Sequence, residues 1–260
     1  MSNEIWWRLG FFFSILVIMM LLESRMPARK SPIKSNTRWF ANFGLVFASS
    51  LIARLSVPIG LTAVALYNQE HGIGLFNQIA TPSSVAIILS MLLLDILIYW
   101  QHRLFHRVAF LWRIHRVHHS DPELDVSSAV RFHPIEIVLS LCIKALTVCL
   151  LGIPIEAVLV FDILLNASAM FNHTNARLPV NIETWVKKVF VTPDMHRIHH
   201  SRVNLEANSN YGFFLSIWDA FFKTKRNDAL GGDGNLKIGM PDTVTYQPTS
   251  LKEVLVMKNC

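Results

Sequence analysis

Ten of the eleven histidines fall between His102 and His200, and their spacing is that of metal ligands. They form H-R-L-F-H (His102, His106), H-R-V-H-H (His115, His118, His119) and H-R-I-H-H (His196, His199, His200). His133 in R-F-H-P-I-E and His173 in F-N-H-T-N lie between the last two boxes, and His71 stands apart. On a helix, residues three and four apart share a face. His102 and His106 therefore make one converging pair, and the first histidine of each triplet converges with one of the last two. Neutral imidazole binds iron, zinc, copper or nickel. Eight box histidines exceed what one tetrahedral or octahedral ion uses, which implies two ions. A solvated scatter of histidines would not repeat the same triplet. His133 and His173 are weaker candidates, because a lone histidine often only satisfies a hydrogen bond.

A ligating histidine gives its other ring N–H to a carboxylate or carbonyl. Asp95 lies seven residues before His102 on nearly the same helical face and is a candidate for that role; Asp194, Asp121 and Glu136 are others, weighed against ordinary capping or solvation. Rival chemistries fit less well. A hydrolytic zinc site of the H-E-x-x-H type needs a glutamate inside the box, and neither triplet has one. No G-x-S-x-G nucleophile elbow occurs. A metal transporter would place its ligands at the bilayer midplane, whereas the apolar runs are nearly free of histidine. Cys142, Cys149 and Cys260 make neither a metal spacing nor a disulfide framework.

The elements that carry the boxes belong to a membrane protein. Of 260 residues, 52% are hydrophobic and 16% charged, with a mean hydropathy of +0.38, too apolar for an ordinary soluble domain. Apolar runs at Trp6–Leu22, Phe40–Leu66, Ser84–Trp100 and Pro134–Phe171 compare with the roughly 20 residues that a helix needs to cross a hydrocarbon core of about 30 Å. The first run has almost no positive charge before it and no small-residue cleavage site after it, so it reads as an uncleaved anchor. Arg54 and Pro58 predict a kink or partial insertion in the second run. Gly152-Ile153-Pro154 splits the last into a hairpin, and H-R-L-F-H directly follows the third. Arg54 and Lys144 are expected to snorkel or pair inside the bundle rather than meet a substrate.

A net charge of +6 and pI near 9.4 raise the question of nucleic acid, but topology accounts for the basic residues more simply. Arg25, Arg29, Lys30, Lys34 and Arg38 crowd the first connection, while Tyr67–Ser83 contains no Lys or Arg. The positive-inside rule puts the former in the cytoplasm, together with Arg103, Arg107, Arg113 and Arg116. The boxes then gather at the cytoplasmic end of the bundle, where a lipid carbon can reach them from within the bilayer.

Taken together, HRLFH, HRVHH, RFHPIE, FNHTN and TPDMHRIHHS followed by Asn210-Tyr211-Gly212 resemble the fatty acid hydroxylase / sterol desaturase superfamily over roughly Asp95–Thr224. The resemblance implies an all-α integral-membrane bundle of about four to five spanning or hairpin helices with a cytosolic histidine-rich cap. It further implies two iron ions, with zinc as a substitute in purified protein, and O2 as co-substrate. Carried onto this chain, the ligand set is His102, His106, His115, His118, His119, His196, His199 and His200, completed by His173, with His133 as an outlying addition. The implied reaction is hydroxylation or desaturation of a membrane lipid, with ether-lipid cleavage also found in the family. No G-x-G-x-x-G or C-x-x-C-H occurs, so electrons must come from an external electron-transfer protein, and a basic face suits an acidic donor. The organisation expected is 1–83 as membrane anchor, 84–224 as catalytic domain and 225–260 as tail. Where the family commonly ends in W-D-x-x-F-G-T, this chain has Lys223 in place of the glycine, which puts the local turn in question. The competing reading is a membrane metal-binding or sensing protein without catalysis.

Overall fold

The computed structural model describes residues 4–30, 35–79, 81–240 and 249–256; Lys34 and Cys260 lie outside them. The architecture is helical. Among the described residues the only sheet-like pairings are three isolated bridges, Pro27–Ala176, Phe190–Leu215 and Ser201–Ile238. Among the described residues, five segments are long and apolar enough to cross a membrane: Glu4–Arg25, Asn36–Gln78, Ser83–Arg107, Pro134–Leu151 and Ile155–His173.

The first is α1 (Glu4–Arg25), apolar all round and without a buried residue; Trp6, Trp7 and Phe13 are largely exposed, as suits a helix whose solvent is lipid. The second is broken. α2 (Ser35–Ser56) stops before Pro58, and α3 (Leu61–Glu70) and the single turn α4 (Leu75–Gln78) complete it. The expected kink is thus a full interruption, and Arg54 donates to the Pro58 carbonyl at 2.8 Å, satisfying a backbone oxygen at the break.

α5 (Ser83–Arg107) continues through H-R-L-F-H, where the sequence placed this box after the helix. Nothing between Trp100 and Arg107 breaks a helix, so the charged last turns simply prolong it. After an extended Val108, α6 (Ala109–His119) carries the second box, and a 3-10 turn spans Val126–Val130. The hairpin is present as α7 (Pro134–Leu151) and α8 (Ile155–His173). Pro134 occupies the first turn of α7, where its missing N–H is not needed. Gly152 ends α7 at φ +67° and lies so close to Gly74 that a Cβ on Gly74 would be 2.1 Å from the Gly152 nitrogen. Both positions therefore require glycine.

Short helices build the cap: α9 (Val180–Val186), α10 (Pro193–His199) with the third box, α11 (Asn204–Ala207) and α12 (Ile217–Phe221). Residues 225–240 return onto it through buried Leu236 and Ile238, and α13 (Leu251–Val256) seats Val254 against Leu45 of α2. In the bundle α3 packs on α7 and α8 and α5 on α8 around Leu94, Ile98, Val148 and Phe161, while α2 packs on α7, α5 on α6, and α1 on α8 beside Ala169 and Met170. Glu23, near the end of α1, accepts from the Val126 and Asn175 amides at 2.7 and 2.8 Å, which ties the bundle to the cap at the level of the histidines.

Candidate metal centre

Nine histidines meet where the ends of α5 and α8 face α6 and α10. They form two adjacent groups, His102, His106, His115, His119 and His199, and His118, His173, His196 and His200, with the candidate donor atoms of each group within 4.8 Å of one another. Helical spacing explains the division. His115 and His119, four apart on α6, face the first group, whereas His118 turns to the second. In the third box His196 and His200 face the second group and His199 the first. The groups touch through stacked His119 and His200, with ring centroids 4.2 Å apart.

The ring N–H groups point outward. His102 Nδ1 donates to the Tyr211 carbonyl (2.9 Å), His199 Nδ1 to the Ser209 carbonyl (2.7 Å) and His118 Nδ1 to the Arg131 carbonyl (3.1 Å). His115 Nδ1 meets Glu136 Oε1 at 2.7 Å. The Ser128 hydroxyl gives its proton to the Asp125 carbonyl, so His173 Nδ1 is the donor in its 2.9 Å contact with Ser128 Oγ. A carbonyl only accepts, so the Nδ1 protons of His102 and His199 are committed. Their Nε2 atoms nevertheless lie 2.9 Å apart. In neutral rings these are two lone pairs facing each other, an arrangement that is stable only with a cation both can bind.

A proton is a poor choice for that cation. Burial, reinforced by neighbouring imidazoles, holds His118, His119, His196, His199 and His200 well below the ordinary histidine value. Five further ring nitrogens, His106 Nε2, His115 Nε2, His119 Nε2, His196 Nδ1 and His200 Nδ1, are buried without a hydrogen-bond partner. Inward-facing ring nitrogens whose other N–H is fixed, as in His102, His115, His118, His173 and His199, fit divalent transition ions.

The other candidates lie elsewhere. His133 is in neither group; its Nδ1 accepts from the Ile135 amide at 3.2 Å, capping α7, and its Nε2 faces the Leu255 carbonyl. Asp95 takes no histidine N–H but accepts from Trp218 Nε1 (2.8 Å) and the Leu215 amide (3.2 Å). Seven residues along a helix are about 10 Å, so a shared face did not bring it within reach of His102. Asp194 pairs with Arg197, its neighbour one turn on. Asp121 is buried against Arg38 (2.6 and 3.0 Å) and Asn42 (2.9 Å). Asn42 in turn accepts from Arg131 at 2.7 Å, and so steadies the segment whose carbonyl takes the His118 proton. Arg38, counted in the sequence as a cytoplasmic surface charge, is therefore a buried structural cation.

Sequence reasoning missed Asp219. Fully buried, it accepts from the Tyr211 amide (2.8 Å), the Gly212 amide (2.7 Å) and Thr224 Oγ1 (2.6 Å), and thereby holds the loop whose Tyr211 carbonyl orients His102. The W-D pair in the terminal motif was its only signal. The turn after it survives the replacement of glycine, because Lys223 itself adopts φ +58°.

Two cavities reach the histidines. One of about 300 Å³ touches His102, His115 and His118 and runs into the bundle past Phe105, Phe132 and Leu165. The other, about 330 Å³ and more polar, touches His106 and His119 beside Trp112, Ser201 and Asn208 of the cap.

The fatty acid hydroxylase family profile matches residues 87–224. The chain is 28% identical over 228 residues to ornithine lipid hydroxylase OlsE of Rhizobium tropici, an alignment covering 83% of this chain and 66% of that protein. It is 31% identical over 127 residues to human alkylglycerol monooxygenase (48% of this chain, 27% of that protein), and 32% identical over 133 residues to the Caenorhabditis elegans enzyme of that name (50% and 25%). The chain thus spans less than two thirds of the length of these relatives. No solved structure matches. Because the matched span contains every one of the nine clustered histidines, profile and geometry concern the same residues, and the chain belongs to the fatty acid hydroxylase family.

Proposed function

We propose that the chain is a membrane-bound, O2-dependent lipid hydroxylase whose nine clustered histidines hold two iron ions on the cytoplasmic side of the membrane, within a catalytic unit spanning 84–224. The observation that carries this reading is the pair of His102 and His199 Nε2 atoms, 2.9 Å apart with their other protons committed to carbonyls, at the head of a cavity that runs between membrane-spanning helices. Iron, when bound, would supply the activation of O2 and the oxidation of a C–H bond. The protein's own contribution is to fix the imidazoles through their outward N–H groups, to exclude water with buried walls, and to admit a chain past Phe105 and Phe132. Hydroxylation is favoured over desaturation because the relatives are named as a hydroxylase and a monooxygenase. Electrons would come from a separate protein.

The test combines metal analysis with lipid chemistry. Protein purified in iron should hold close to two ions, and cells expressing it under labelled O2 should gain a labelled lipid hydroxyl. His118→Ala should abolish that label without preventing membrane insertion. Tight metal binding with an unchanged lipid profile would refute catalysis and favour the metal-binding reading.

A further inference from the structure

The cavity that touches His102, His115 and His118 runs to half-buried Lys144 and Asp162 and to exposed Asn166, midway along α7 and α8. We propose that Lys144 is a specificity-determining residue that binds a neutral, hydrogen-bond-accepting oxygen on the chain of the lipid substrate, and so sets which carbon lies at the histidines. This rests on the reading of the chain as a lipid hydroxylase.

Glu136, Ser140 and Lys144 are four residues apart on α7, share one face and all line the cavity. Glu136 holds His115 at 2.7 Å. Lys144 is therefore about 12 Å along the helix from the histidines at ~1.5 Å per residue. One leaflet's share of a hydrocarbon core of about 30 Å is roughly 15 Å, so this interval is most of an acyl chain's reach.

A charged residue within a spanning helix marks a functional site unless its partner accounts for it, and here the partner is shared between two cations. Asp162 Oδ2 pairs with Arg8 at 2.7 Å, and Arg8 also meets Glu4 at 2.9 Å. Lys144 Nζ stands 3.6 Å from Asp162 Oδ1, and among the described residues it makes no hydrogen bond. Lys144 lines the cavity, and its ammonium carries three donors. Arg8 and Lys144 are balanced by Glu4 and Asp162, so the end of the cavity has no net charge to attract an anion. What fits is a neutral acceptor: a hydroxyl, ester or amide oxygen. A plain alkyl chain would leave the ammonium with no hydrogen bond beside its 3.6 Å ion pair with Asp162. The sequence alone favours a purely structural pairing for Lys144; the geometry points to a substrate contact.

Methyl oleate and methyl ricinoleate differ by one hydroxyl on the chain. The metal-loaded protein in phosphatidylcholine nanodiscs, offered an equal mixture, should retain ricinoleate about tenfold or more over oleate, as read by native mass spectrometry. Lys144→Met should bring the ratio close to one, and Lys144→Arg, which keeps the donors, should preserve a preference. Equal retention by the unaltered protein, or an undiminished preference in Lys144→Met, would overturn the proposal. Binding is read separately from turnover. A preserved preference without oxidation of either probe under O2 and reductant would support this site while counting against the hydroxylase reading.

Discussion

Removing the metal should loosen the cap while leaving the membrane hairpin in place. Five buried ring nitrogens, from His106, His115, His119, His196 and His200, have no hydrogen-bond partner. A buried, unsatisfied polar group costs about 1–3 kcal/mol, so an empty centre bears a penalty on the order of 5–15 kcal/mol, as large as the stability of a typical domain. The metal-free chain should relieve it by opening α6 and α10, whose rings can then turn toward water. α7 and α8 are held instead by the apolar core around Leu94, Ile98, Val148 and Phe161. The assay is hydrogen exchange by mass spectrometry on detergent-held protein before and after chelation. Even the lower bound corresponds to exchange between three and four orders of magnitude faster, at roughly 1.4 kcal/mol per decade, in α6 and α10, against little change in α7 and α8, with protection restored on adding metal back. Unchanged protection of α6 and α10 in protein shown to be metal-free would refute the reasoning.

The same burial predicts a pH dependence. His118, His119, His196, His199 and His200 stay neutral in the folded chain at pH values where an unfolded histidine, near 6.5, takes a proton. Below about pH 6.5 the unfolded chain therefore binds more protons, so the Tm of the metal-free protein should be flat above neutrality and fall as the pH drops below that value. Asp219→Asn replaces one acceptor with an NH2 group facing an amide N–H. A loss of about 1.5–3 kcal/mol in thermal stability is expected, with roughly 10–100-fold weaker metal retention by the His102 group in chelator competition. Lys223→Gly should stabilise the protein by up to ~1 kcal/mol, since a left-handed lysine costs roughly 1–2 kcal/mol and glycine returns part of that as chain entropy; Lys223→Ala, measured by the same melting experiment, should gain nothing.

The membrane segments and the three boxes were legible because both rest on local periodicity: apolar runs of spanning length, and imidazoles three and four residues apart. The break at Pro58 and the turn at Gly152 were legible for the same reason, as proline and glycine act on their own backbone. What lay beyond local spacing was not. His133 and His173 look alike in sequence, but one stands at the start of α7 and the other at the end of α8, where the chain delivers it to His196. The acceptors for the ring protons are mostly main-chain carbonyls of Arg131, Ser209 and Tyr211, and a carbonyl has no side-chain signature. Asp95 lies on the expected face of α5 but two turns too far away. Glu136 could be named as a candidate, yet only the return of α7 beneath α6 brings it to His115.

The division of adjacent residues between the two groups has an assembly consequence. His118 and His119 turn opposite ways from one stretch of α6, and His199 and His200 do so where α10 ends. The first ion to arrive would fix the rotation of both helices and present the neighbouring group already shaped, so occupancy should jump from none to two with few half-filled molecules. Damage to either triplet should likewise empty both positions at once, because the two sites share their walls.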